Sequence, residues 1–86
     1  VSTVKEELSR HLSDLKEMRE SAILPVENIG KVAHKLLPIA SMTRMESVEA
    51  LTALSPERIH GIGEGQIREY LKMVINELQD ILAHDL

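Results

Sequence analysis

The sequence predicts an all-α protein, an antiparallel four-helix bundle. Three observations carry that expectation. Of the 86 residues, 43% are hydrophobic, yet Tyr70 is the only aromatic one, so the core must be built from Leu, Ile, Val, Met and Ala. Sheets draw more on aromatic and β-branched residues, whereas this mixture suits packed helices. The apolar residues recur at spacings of three and four. Finally, Pro25, Pro56, Gly61, Gly63 and Gly65 fall between those periodic stretches.

The first helix is expected over residues 3–23. Val4, Leu8, Leu12, Leu15, Met18 and Ala22 form one stripe with charged residues around it. Thr3 with Glu6 fits a capping box. Pro25 ends the helix near Ile23 and Leu24, because the residue before a proline is pushed out of the helical region.

The second helix is expected over 26–42. Pro25 suits a first helical position, and Val26, Ile29, Val32, Ala33, Leu36, Ile39 and Ala40 form its buried stripe. Pro38 lies inside this run and lacks a backbone donor. Because the apolar pattern continues past it, a kink is expected rather than an end.

Thr43 and Glu46 could cap a short third helix carrying Met45, Val48, Leu51 and Leu54. Ser55-Pro56-Glu57 reads as an N-cap, a first-turn proline and an acid favoured by the helix dipole. One more turn is therefore expected over Ser55 to His60. Gly61, Gly63 and Gly65 then break the chain. The last helix, expected over 66–84, places Ile67, Tyr70, Leu71, Val74, Leu78, Ile81 and Leu82 on one stripe and should run roughly 27–30 Å. No repeat or second domain is visible, so residues 1–86 read as one domain.

Composition also narrows the function. The net charge is -4, and neither a basic patch nor the aromatic platforms of a single-strand binder are visible. No apolar run approaches a membrane span, and there is no signal-peptide pattern. Cysteine is absent, which removes a disulfide framework. His11, His34, His60 and His84 lie far apart, with no His-Glu-x-x-His spacing. A zinc site would need a tertiary coincidence, and no metal or cofactor is expected in the chain.

His34 stands out by its face. Its neighbours one turn away are Glu27, Gly30, Lys31, Leu37, Pro38 and Ser41, while the core stripe lies opposite. His34 should therefore meet solvent from the middle of a long helix. Gly30 has no side chain, so a partner could approach there. A glycine in a helix interior costs about 1 kcal/mol relative to alanine, which asks for a reason in docking or in helix packing. A neutral imidazole on a rigid helix is a competent nucleophile for phosphoryl transfer. From the helical pattern alone, an ordinary surface histidine is the better reading, and an exposed leucine such as Leu37 is common.

The stretch Lys31-Val-Ala-His34-Lys-Leu-Leu-Pro-Ile-Ala-Ser-Met-Thr-Arg-Met45 resembles the signature of the histidine phosphotransfer domains. That signature reads roughly Ala-His-x-Leu-Lys-Gly, followed by small residues. Ala33, His34 and Leu36 match it, and Ala40 and Ser41 fall in the small-residue stretch. The helices before and after fit as well, so the similarity covers nearly the whole chain. Two positions depart: Leu37 and Pro38 stand where the family usually has Lys and Gly. The missing lysine removes a cation from the phosphate's surroundings, and Lys31 could replace it. The His-Lys-Leu-Leu-Pro form resembles modules at the C-terminal end of hybrid sensor kinases. The family's frequent extra N-terminal helix is not found, which suggests part of a longer chain.

The resemblance implies a cytoplasmic phosphocarrier without catalytic activity of its own. His34 would accept the phosphoryl group. Gly30, Lys31, Leu37, Pro38 and Ser41 would dock the receiver domain of a response regulator, and that partner would hold the Mg2+. Neither nucleic acid nor direct membrane contact is implied. Two other readings stand beside it. One is a helical docking or dimerisation module without phosphotransfer. The other rests on Ile59-His60-Gly61-Ile62-Gly63, which is similar to the hairpin of helix-hairpin-helix DNA-binding modules; Glu64 and the acidic balance argue against it.

Overall fold

The computed structural model describes residues 4–43 and 46–84, with Val4 and Thr43 described by backbone alone. Among them the chain forms four α-helices, α1 (Val4–Glu20), α2 (Val26–Thr43), α3 (Val48–Ala53) and α4 (Glu64–Ala83), with a 3-10 turn at Ile59–Gly61 and no strand. The protein is all-helical, as a helical bundle requires. α1 packs chiefly on α4 and α2 chiefly on α3, and α3–α4 and α1–α2 contacts complete the arrangement.

The apolar stripes meet in one core. Leu8 and Leu15 enter it from α1, and Ile29, Ala33, Leu36 and Ala40 from α2. Ala50 and Leu51 enter from α3, with Leu54 just beyond it. Ile67, Leu71, Val74, Ile75 and Leu78 enter from α4. Leu12, Met18, Val26, Val32, Ile39, Tyr70, Ile81 and Leu82 pack at its edge, partly buried. Ile75 widens the stripe of α4 beyond the expected set.

α1 ends at Glu20, earlier than the expected residue 23, and Ala22 is exposed rather than on the stripe. Arg68 of α4 explains the early stop. Its guanidinium donates to the backbone carbonyls of Arg19 and Ser21, the latter at 3.0 Å, and it pairs with Glu64 at 3.0 Å. Arg19 Nε donates back to the Arg68 carbonyl at 3.4 Å. Carbonyls that end a helix without intrahelical donors need partners, and here a distant arginine supplies them.

Pro25 sits just outside α2. Its carbonyl accepts the Ile29 N–H at 2.9 Å, so it opens the helix as a cap rather than as the expected first residue. α2 continues through Pro38, as the apolar pattern required. Proline has no N–H, so the carbonyl of His34, four residues back, lacks its intrahelical donor.

Thr43, expected to cap the third helix with Glu46, belongs by its backbone to α2. Ser47 occupies the capping position of α3 without a cap bond from its own side chain into the helix. Glu77 of α4 takes over. Its Oε1 accepts from the Ser47 N–H at 3.0 Å and from the Ser47 hydroxyl at 2.7 Å. Its Oε2 accepts from the Glu46 N–H at 3.0 Å. Thr3, the expected cap of α1, and Met45 lie outside the described residues.

The turn expected from Ser55 to His60 forms through the Ser55 carbonyl, which accepts from Arg58 at 3.0 Å and Ile59 at 2.9 Å. α4 begins at Glu64, two residues earlier than expected, with Gly63 as its extended cap and Gly65 inside the first turn. Gly65 is thus a helical residue and not a break. No helix among the described residues is long and apolar enough to cross a membrane.

Candidate functional site

Residues 31–41 of α2 make the candidate site. Leu36 is 0% exposed and Ala33 1%, and they anchor the helix to the core. Turning away from them, His34 is exposed, with Lys31, Pro38 and Ser41 also exposed and Leu37 half-buried. A helix places residues three and four apart on one face, so this exposed set surrounds the imidazole. Among the described residues, the side chains of His34 and Lys31 form no ion pair or hydrogen bond, and both heads are open to an incoming group.

Gly30 does not belong to this open set. It is buried. A Cβ built on it would lie 3.2 Å from Pro56 Cα and 3.3 Å from both Pro56 N and Cγ. The expectation that Gly30 opens a path for a partner is therefore corrected. The glycine lets the Ser55–Arg58 turn press against α2, and its cost in helix propensity is offset by that close approach. Leu37 is likewise partly engaged, packed against the edge of the core.

Lys31 has a second neighbourhood. With Lys35, Asn28 and Val32 it lines a groove of about 430 Å³ whose other wall is Asp14, Glu17, Met18 and Ser21 of α1. Lys31 thus stands between the His34 face and the α1–α2 groove, while Lys35 faces the groove. Lys31 is the cation better placed to serve both.

Within the Ile59–Gly63 segment, Ile59–Gly61 forms the 3-10 turn, with Ile59 1% exposed and Ile62 and Gly63 extended. The arginine of the following helix, Arg68, is directed to α1 carbonyls and Glu64. Glu64 opens the following helix with an exposed carboxylate, and Arg58 and His60 of the turn are exposed as well.

Among the described residues, no group of three or more His, Cys, Asp or Glu side chains is placed to hold a metal. Sequence reasoning missed the Ser47–Glu77 contact and a buried nitrogen on His11. Both depend on residues from other helices or on packing depth, and neither has a local signature. Comparison with known proteins finds no matching family model, no matching curated protein and no matching solved structure.

Proposed function

We propose that the chain is a histidine phosphotransfer module, an antiparallel four-helix bundle that carries a phosphoryl group on His34 between receiver-domain aspartates. The observation that carries this reading is the exposed His34 at the middle of α2, backed by the buried Ala33 and Leu36 of the same motif. The antiparallel course draws support from the reciprocal Arg19–Arg68 bonds, which join the end of α1 to the start of α4.

The chemistry is a displacement at phosphorus. A lone pair on one imidazole nitrogen attacks the phosphoryl group of an aspartyl phosphate. The N–P bond forms as the P–O bond to the aspartate breaks, and the electron pair leaves on the carboxylate. The proton on the other ring nitrogen stays or passes to water. The reverse step returns the group to a second aspartate. In-line geometry and charge neutralisation dominate such transfers, and a Mg2+ on the receiver would supply much of the latter. Lys31 would add a cation from this chain. Leu37, Pro38 and Ser41 would form the docking rim, and Gly30 would shape the helix beneath it. The protein would be a phosphocarrier, active when it meets a receiver or is fused to a sensor kinase.

The test uses a phosphorylated receiver as donor. Incubation with a phosphorylated receiver domain and Mg2+ should give one acid-labile, base-stable phosphate on the chain, and subsequent addition of an unphosphorylated receiver with Mg2+ should remove it. His34→Gln should abolish labelling while changing stability by less than about 0.5 kcal/mol, as surface substitutions usually do. Equal labelling of parent and His34→Gln would remove His34 from the mechanism.

A further inference from the structure

His11 holds a polar atom that the packing leaves without a partner. The residue is on α1 and partly exposed. Its Nδ1, however, is sealed from solvent and has no hydrogen-bond partner among the described residues. The ring helps line a cleft with Glu7 and Arg10 from α1 and Lys35 and Ile39 from α2. It therefore sits where the helix carrying His34 meets α1, across from the residue next to His34.

The two protonation states fare differently there. In the neutral ring Nδ1 can be a bare acceptor, which costs little beyond the hydrogen bond it forgoes. In the protonated ring Nδ1 must carry a hydrogen and share a positive charge, with no acceptor bonded to it among the described residues. A buried charged donor left unpaired is much more costly than a buried lone pair. The charged groups acting on the ring are Asp14 and Glu7, which favour the proton, and Lys35 and Arg10, which oppose it. α4 contributes none of them. Burial is the largest influence and, with Lys35 and Arg10 acting in the same direction, it outweighs Asp14 and Glu7 and holds the His11 pKa below its ordinary value.

We propose that His11 is a pH-sensitive latch on the α1–α2 seam, closed while its ring is neutral and loosened when the ring takes up a proton. The inference does not depend on phosphotransfer. It is independent of whether His34 is ever phosphorylated, although Lys35 and Ile39 would convey the loosening to the helix that bears it.

The sign follows from linkage. Above pH 6.5, the ordinary value, His11 is neutral whether the chain is folded or not. As pH falls through that value the unfolded chain takes up the proton first. Folding then loses stability with each step down, until the pH reaches the lowered value of the folded state.

The experiment uses the full chain in two measurements. Proton NMR titration of the histidine rings should give His11 a midpoint below the ordinary histidine value of 6.5. The amide shifts that move with it should include Lys35 and Ile39 on α2. Thermal melts at pH 7.5 and 5.5 should show the parent losing about 2–5 °C, a shift of ordinary size for a chain this long. His60→Gln should lose as much as the parent, and His11→Leu should lose little. Should His11→Leu fail to fold, His11→Gln serves in its place, and the titration needs no variant. A His11 midpoint at or above the ordinary value, no response in α2, or an undiminished pH effect in the His11 variants would each overturn the proposal.

Discussion

Glu77 caps a helix to which it does not belong. Its Oε1 receives both the N–H and the hydroxyl of Ser47, thirty residues away in sequence, while Ser47 is 4% exposed. The carboxylate thereby satisfies donors at the start of α3, a helix of six residues that is far too short to be stable alone. Glu77→Ala should leave those donors unpaired and cost about 1–2 kcal/mol, read as a fall in Tm of about 4–16 °C. Glu77→Gln keeps one acceptor oxygen and should lose less. A Glu77→Ala protein that melts with the parent would show that solvent replaces the cap without loss.

Gly30 and Pro56 set a limit on the backbone of α2. Alanine is favoured over glycine in a helix by about 1 kcal/mol, but at residue 30 its Cβ would press on Pro56 at 3.2–3.3 Å, two of the three contacts being backbone atoms. Gly30→Ala should therefore yield no stabilisation. Gly30→Arg should force the Ser55–Arg58 turn off α2 and cost more than about 2 kcal/mol. Denaturant unfolding of both variants checks this. A Gly30→Arg protein as stable as the parent would mean that the turn moves aside freely.

Pro38 can be tested by restoring what it removes. It lies in the helix interior with its ring exposed, so Pro38→Ala removes little packing. The new N–H can bond the His34 carbonyl, and the substitution should stabilise the fold by about 1–3 kcal/mol. A gain in Tm with His34 still labelled by a phosphorylated receiver is the expected result. A loss of stability would show that the core requires the bend a proline imposes.

Lys31 should matter to transfer in proportion to its exposure. A solvated ammonium near a developing phosphoryl charge is worth under about 1 kcal/mol. Lys31→Ala should slow transfer from a phosphorylated receiver several-fold at most, with the difference shrinking as salt rises. Rapid-quench measurements at low and high ionic strength separate this from a lysine without a role, for which parent and variant would match throughout.

The sequence by itself determined the helices and their inward faces. Leu8, Leu36, Leu71 and Leu78 are each 0% exposed, as the three-and-four spacing required, and the same geometry turns His34 outward. Such features are local: the 3.6-residue repeat fixes which side chains share a face wherever the helix is placed. Tertiary structure decided everything that needs two distant stretches to meet. The sequence offered both docking and packing as reasons for Gly30, and only the approach of Pro56 chose packing. Thr43 looked like the cap of α3, but α2 extended through it and Glu77 from α4 took the role. α1 stopped early because Arg68 collected its last carbonyls, and His11 lost the solvent contact of one nitrogen to the seam with α2. Polar groups must find partners once water is excluded, and which partner arrives, or whether any does, depends on how the helices pack.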